Sequence, residues 1–112
     1  MASGRHKIEF EVLDGWDRLP DGWAYVEVAG VACDSRDRVY VFNRGAHPVI
    51  VFDKEGKFLN AWGAGMFKNP HGIWADRKGD LYVGEVVLQA GAVKRMAPLT
   101  PHAFQKFRRR SG

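Results

Sequence analysis

The chain repeats itself along its length. Residues 30–41 align without a gap on residues 72–83, which lie 42 positions further on. Each copy reads as a short apolar strand, a polar turn that begins at an aspartate (Asp34 or Asp76), and a second strand. Aspartate favours such a turn because its carboxylate accepts hydrogen bonds from backbone N–H groups just ahead. A repeat of this length is typical of stacked supersecondary units.

Further strands follow each copy. The first copy continues with two predicted strands, 49–52 and 57–62, which a tight turn joins. The second copy continues with a longer segment, 87–101, and then a predicted strand at 103–107. Because no helical window separates these short strands, consecutive antiparallel hairpins are expected. The predicted fold class is therefore all-β.

The second copy lacks a fourth strand, and the N-terminal region offers a candidate for it. Residues 8–13 alternate charged and apolar side chains, as a half-buried edge strand does. Four strands in about 42 residues form the repeat of a β-propeller, and an N-terminal strand often completes the last sheet of such a ring. The predicted organisation is a single segment, 1–112, with a closing strand at 8–13, a first blade at 28–66 and a second at 70–109.

Two blades are too few for a ring, since propellers close with about four to eight. Alone, they would leave a sheet face and strand edges uncovered. The sequence therefore predicts a homo-oligomer, and a trimer with six blades is the favoured form. Two or four copies would give four or eight blades. A compact two-sheet monomer is the remaining alternative.

Composition limits the partners. The formal net charge of +4 owes much to the run 108–110, so nucleic acid is not an expected partner. A single cysteine, Cys33, excludes an intrachain disulfide framework. No apolar run approaches the ~20 residues of a membrane span, and no signal segment opens the chain. We expect no membrane partner and a cytoplasmic location.

Three segments carry a resemblance to a known family. They read GVACD at 30–34, YVFNRGAHP at 40–48 and NPHGI at 69–73. These segments resemble NHL-repeat propellers, and more narrowly the six-bladed peptidyl-α-hydroxyglycine α-amidating lyases and their bacterial relatives. The resemblance implies an oligomeric propeller with a metal-binding central channel, and lyase-like chemistry on a small carboxylate or peptide-like substrate. A non-catalytic binding module for a peptide or protein is the alternative.

The resemblance also assigns roles to residues. The Arg-Gly-x-His motif implies a catalytic role for Arg44, and the Pro-His motif implies that His71 is a zinc ligand. The backbone carbonyls of Val31 and Ile73 correspond to those that help to hold a structural calcium. The catalytic tyrosine of the family has no counterpart here, since Gly45 and Val87 stand at the corresponding places.

Zinc needs three or four ligands, and one histidine per chain cannot supply them. Three copies of His71 around a threefold axis would form a three-histidine site for zinc or another divalent transition metal, with an open fourth position. The alternative for His71 is a turn residue bonded to a carbonyl.

Strand alternation predicts that Arg44 and His71 lie at the same end of the blades. A guanidinium there suits a carboxylate, whereas the alternative is an inter-blade salt bridge. His47 is expected at the rim of the central channel at this end, or in a solvent-exposed turn. The long segment 87–101 is expected to form a lid or a subunit contact. Small size predicts that Cys33 is buried. An inter-blade core is predicted from the aromatic residues Tyr40, Phe52, Trp62, Trp74 and Tyr82.

Overall fold

The computed structural model describes residues 7–86 and 102–108. This part of the chain contains strands and turns and no helix, so no helix in it is long and apolar enough to cross a membrane. Two antiparallel sheets form: sheet 1 has the order β1-β2-β3-β4, and sheet 2 has the order β5-β6-β7. The all-β prediction is confirmed. The strands are β1 (Val28–Cys33), β2 (Val39–Asn43), β3 (Val49–Phe52), β4 (Phe58–Trp62), β5 (Pro70–Ala75), β6 (Leu81–Val86) and β7 (His102–Phe107).

The sequence repeat is reproduced in the hydrogen bonds of the first turn of each sheet. One carboxylate oxygen of Asp34 accepts the N–H groups two and four residues ahead, at 2.9 and 3.0 Å. Asp76 accepts the equivalent pair at the same distances. The second oxygen accepts a tyrosine hydroxyl in both sheets, from Tyr40 at 2.7 Å and from Tyr82 at 3.1 Å. The turn predicted at each aspartate is therefore confirmed.

The two sheets pack face to face through one apolar core. Their first strands, β1 and β5, lie side by side, and a Cβ placed on Gly30 would come 3.3 Å from the backbone nitrogen of Ile73. Glycine at position 30 permits this close approach. Trp62, Phe67, Ile73, Ala75 and Phe107 border the core. The buried residues at its centre are Tyr40, Phe42, Val49, Val51, Leu81 and Val83.

The connector, residues 14–27, covers the other face of sheet 1. Its aromatic and aliphatic side chains, from Trp16 to Tyr25, pack on Val41, Ile50 and Phe52. The Trp16 indole N–H donates to the Lys54 carbonyl at 3.1 Å. A molecule that approaches this face of sheet 1 therefore meets the connector and not the bare sheet.

Two burial predictions were wrong. Cys33 is exposed, because it shares its strand face with Val31, which is itself 56% exposed beside the connector. Trp74 is 61% exposed and lies beside the Tyr82 ring, with centroids 5.2 Å apart, on the side of sheet 2 turned away from sheet 1. Within the part of the chain that the structure describes, no third sheet covers that side. Tyr40 is buried in the core between the sheets and Trp62 borders it, as predicted. Phe52 is instead buried under the connector, and Tyr82 lies with Trp74 on the outer side of sheet 2, so neither joins the predicted core.

Residues 8–13 form no strand within the single chain. Their apolar side chains are exposed, at 79% for Ile8, 92% for Phe10 and 86% for Val12. Sheet 2 has three strands among the residues described, with β7 at its edge. The role of residues 8–13 as the closing strand of the last sheet stays a prediction. The lid or contact expected at 87–101, including Val87, lies outside the described residues.

Candidate functional site

Arg44 connects the two sheets at one end. It directly follows β2, and its backbone N–H donates to the Glu27 carbonyl at 2.9 Å. Its side-chain Nε–H donates to the carbonyl oxygen of Pro70 at 3.0 Å. Pro70 opens β5 and precedes His71, so Arg44 and His71 lie at the same end of the two sheets.

The guanidinium of Arg44 retains capacity for a ligand. Its Nη1 lies 3.8 Å from Glu27 Oε2, which is too long for a hydrogen bond. Both side chains are substantially exposed, 40% for Arg44 and 66% for Glu27, and exposed ion pairs contribute little. Because Nε is engaged by Pro70, the Nη groups are the donors that could grip a planar carboxylate.

Asn43 shapes the loop that carries Arg44. Its side chain is 1% exposed, and its amide nitrogen donates to the carbonyls of His47 at 2.7 Å and Pro48 at 3.3 Å. Its amide oxygen accepts the N–H of Gly45 at 3.0 Å. The sequence analysis missed this residue. A polar side chain that ends an apolar strand directly before Arg-Gly was the available signal.

His47 belongs to the contact between this loop and the connector. Its ring stacks on Trp23 with centroids 3.4 Å apart and an interplanar angle of 4°. Trp23 also meets Phe58 edge to face, which fixes the indole on sheet 1. His47 is therefore half-buried against an aromatic surface, and a direct role at the rim remains a prediction.

His71 sits in a bulge. The pairing of β5 with β6 shifts register between Pro70 and Gly72, so His71 has no directly opposite residue on β6. The pairing of β1 with β2 shifts at the equivalent place, which holds Ala29. Bulges re-aim a side chain out of the regular sheet, and they occur often beside functional sites. The two sheets thus have a bulge at the same position, filled by a half-buried alanine in one and by an exposed histidine in the other.

Glu85 fixes the approach to His71. It pairs with Pro70 across β5 and β6, and its Oε1 accepts the N–H groups of Lys68 at 2.6 Å and Asn69 at 3.0 Å. It occupies the place in sheet 2 that Asn43 occupies in sheet 1. Sequence reasoning missed it as well, although it is an acidic residue in an apolar strand. This end of the two sheets therefore carries the Arg44 guanidinium, two imidazoles, from His47 and His71, and the carboxylates of Glu27 and Glu85.

The described residues hold no cluster of three or more histidine, cysteine, aspartate or glutamate side chains that could bind a metal. A single chain therefore supplies only part of a zinc site, through the exposed imidazole of His71. Val31 and Ile73, whose carbonyls correspond to calcium ligands, lie on the neighbouring strands β1 and β5.

Shifted pKa values occur at the opposite end of the sheets, in the aspartate turns. Burial acts to raise the pKa of Asp34, but hydrogen bonds from Tyr40 and from the N–H groups of Arg38 and Arg36 outweigh it. The pKa of Asp34 is therefore lowered. Asp76 has a lowered pKa for the same reasons. These carboxylates are structural, because their oxygens are occupied by the turn itself.

No protein-family model matches the chain, and no curated protein matches it. The assignment of a function therefore depends on the geometry around Arg44 and His71.

Proposed function

We propose that this chain is a two-blade unit of an oligomeric NHL-type propeller, favoured as a trimer. Its channel mouth would bind a small carboxylate or a peptide-like ligand through Arg44, beside a divalent transition metal held by His71 of several copies. The observation that carries this proposal is the hydrogen bond from Arg44 to Pro70. It brings a guanidinium with available Nη donors to the residue that precedes His71.

Three structural features support the propeller part of the proposal. The turns at Asp34 and Asp76 have the same hydrogen bonds, and the bulges occur at equivalent positions. The tyrosines also face the same way in the repeat. Tyr40 faces the following sheet, and Tyr82 faces the side where a further sheet would stand. Repeated sheets that each present the same face to the next one can extend around a ring.

The metal part of the proposal needs several copies. Three chains would place histidine on every second blade, which is the spacing that the resemblance implies for zinc ligands. Calcium held by the carbonyls of Val31 and Ile73 is a second metal that the resemblance suggests. A bound zinc ion would supply positive charge close to a ligand carboxylate, while Arg44 would orient that carboxylate through its Nη donors.

Metal content and ligand affinity test the proposal together. Elemental analysis of the purified protein should find about one transition ion per three chains. N-acetylglycine is a suitable probe, because it is the smallest carboxylate with a peptide-like amide. Its affinity, measured by calorimetry, should fall at least about tenfold in Arg44→Ala, the loss expected for a charge-assisted hydrogen bond. Arg36→Ala is the matched control, because Arg36 is exposed at the opposite end. Equal affinities in the two variants would contradict the role of Arg44.

A lyase reaction and simple binding make different predictions. With an N-acyl-α-hydroxyglycine, a lyase would break the bond between the amide nitrogen and the hydroxylated carbon. The hydroxyl proton would leave, the amide nitrogen would gain a proton, and a primary amide and glyoxylate would form. The presence of Gly45 where the family has its tyrosine favours the alternative, a non-catalytic module for a peptide or protein. Release of glyoxylate by the unaltered protein, and its loss in the Arg44→Ala variant, would show that the protein is an enzyme and not only a binding module.

A further inference from the structure

We propose that residues 8–13 of one copy add to sheet 2 of a second copy, as a fourth strand beside β7. The strand would fill a groove between the two sheets, and each copy would give one strand and receive one. This inference extends the oligomer of the proposed function by naming the contact that builds it. It does not depend on a metal at His71 or on a ligand at Arg44.

The groove lies along the outer part of the molecule. It is a cleft of about 690 Å³ between β4 of sheet 1 and β7 of sheet 2. Its β4 side presents Leu59 and Trp62, and its sheet 2 side presents Leu81 and Phe107. Leu59 is 45% exposed although it is a large apolar side chain. Sheet 1 has a fourth strand at this level, whereas sheet 2 has none among the described residues. The groove is the space that such a strand would occupy.

Residues 8–13 have the pattern that the groove requires. In an extended strand, Ile8, Phe10 and Val12 point to one face, and Glu9 and Glu11 point to the other. All three apolar side chains are at least 79% exposed in the single chain. An alternating segment with one exposed apolar face gains stability when that face is covered, by about 25 cal/mol for each Å² removed from water.

The strand orientation that places the apolar side chains of 8–13 in the groove also places its acidic side chains near a basic residue of β7. On β7, Phe107 pairs with Leu81 and faces the groove, so the preceding residue, Lys106, faces the other side of sheet 2. The Lys106 ammonium lies on that outer side, 5.2 Å from the centre of the Tyr82 ring and 3.4 Å from Asp80 Oδ2. A strand that puts Phe10 into the groove therefore puts Glu9 and Glu11 on the same side as Lys106. Opposite charges across neighbouring strands are favourable.

The path of the connector indicates that the groove receives a strand from another copy. Trp16 is seated on Phe52 with ring centroids 5.7 Å apart, and the N–H of Arg18 donates to the Gly56 carbonyl at 3.0 Å. These contacts are on the face of sheet 1 opposite to the groove. Residues 8–13 thus leave the molecule from the side turned away from their own groove. Among the described residues β7 forms the edge of sheet 2, and an unpaired strand edge invites pairing with a second chain.

Two single variants, tested alone and mixed, decide whether the exchange occurs. Phe10→Asp removes the strand's central apolar side chain but leaves the groove intact. Leu59→Arg obstructs the groove but leaves the strand intact. Both side chains are exposed in the single chain, so neither change threatens its fold. By light scattering with size exclusion, the unaltered protein should exceed the 12.6 kDa of one chain, and each variant alone should be monomeric.

The decisive result is the mixture. An equimolar mixture of the two variants should form a species of twice 12.6 kDa, because one chain offers a sound strand and the other a sound groove. Met66→Asp, a matched change at an exposed apolar residue, should retain the mass of the unaltered protein. A monomeric unaltered protein, or a mixture that stays monomeric, would overturn the exchange. The metal content of the unaltered protein is measured separately. An absence of bound metal would therefore count against the proposed site at His71 but not against the strand exchange.

Discussion

The hydroxyl of Tyr40 donates a 2.7 Å hydrogen bond to Asp34 from within the core between the two sheets. The same carboxylate oxygen also accepts Arg38 Nε at 2.8 Å. The carboxyl side chain is only 1% exposed, so its charge is retained through these contacts and not through water. The first turn of sheet 1 is therefore held from inside the protein, which has a measurable consequence in acid.

Stability should fall steeply in acid because of this turn. The pKa of Asp34 is lower in the folded protein than its ordinary value, so the unfolded chain binds the proton more readily. The contribution of Asp34 is therefore fully present above the ordinary aspartate pKa of about 4, and it is lost as the pH falls through the lower folded value. Asp34→Asn should cost about 1–3 kcal/mol at pH 7. In urea unfolding, the difference between the two proteins should shrink towards pH 2.

Asp76→Asn is the comparison for that experiment. Asp76 makes the same backbone contacts but lies in a less buried turn, and its bond from Tyr82 is longer, at 3.1 Å. We expect a smaller loss at pH 7 than for Asp34→Asn. Equal losses would show that burial of the Tyr40–Asp34 pair adds nothing to stability.

His71→Ala should abolish bound transition metal and leave the fold largely intact. The imidazole is exposed in the bulge of β5, so its removal opens no cavity. Elemental analysis, with the melting temperature as a check on the fold, measures both effects. Metal binding by the unaltered protein should weaken as the pH falls, because a ligand imidazole must be unprotonated. Stoichiometric zinc in the His71→Ala protein would exclude this histidine as a ligand.

Ala29→His should strengthen metal binding. Ala29 occupies the bulge of β1 that corresponds to His71 in β5, and these two strands are neighbours. A second imidazole would therefore be added at the same end of the sheets. We expect the affinity for zinc to rise at least tenfold, measured by competition with a chelating dye. An unchanged affinity would mean that the two bulges do not aim their side chains into a common space. Ala46→His, at an exposed position of the Arg44 loop, controls for a mere increase in histidine content.

Much of the backbone could be predicted from local patterns. The strand predicted at 49–52 is found at Val49–Phe52, and the one predicted at 103–107 begins one residue earlier, at His102. The co-location of Arg44 and His71 also followed from strand alternation alone. These predictions succeed because turn residues and apolar runs determine structure within a few residues of the chain. The repeat presents the same signals twice, so each copy supports the interpretation of the other.

Burial by parts of the chain that are distant in sequence could not be predicted in the same way. The exposure of Trp74 depends on whether a further sheet packs on sheet 2, and that of Cys33 depends on how far the connector reaches. The roles of Asn43 and Glu85 depend on loop closure, which brings distant carbonyl and N–H groups to their side chains. The exposure and the contacts of these residues thus depend on distant parts of the chain, which a local sequence pattern does not record.

Gly56→Ala should release the connector from sheet 1. Gly56 has a φ of +84°, and a Cβ there would lie 1.7 Å from the carbonyl oxygen of Trp16, a backbone atom with little room to move. Gly65→Ala is a matched control, since Gly65 has a φ of +78° and nothing within 4 Å of the added carbon. Backbone strain alone should cost roughly 1 kcal/mol at Gly65. The collision should bring the cost at Gly56 above about 3 kcal/mol, beyond the usual range for one substitution. Urea unfolding measures both costs, and tryptophan fluorescence should report a more solvent-exposed Trp16 in Gly56→Ala. Similar losses in the two variants would show that the connector does not rest on this turn in solution.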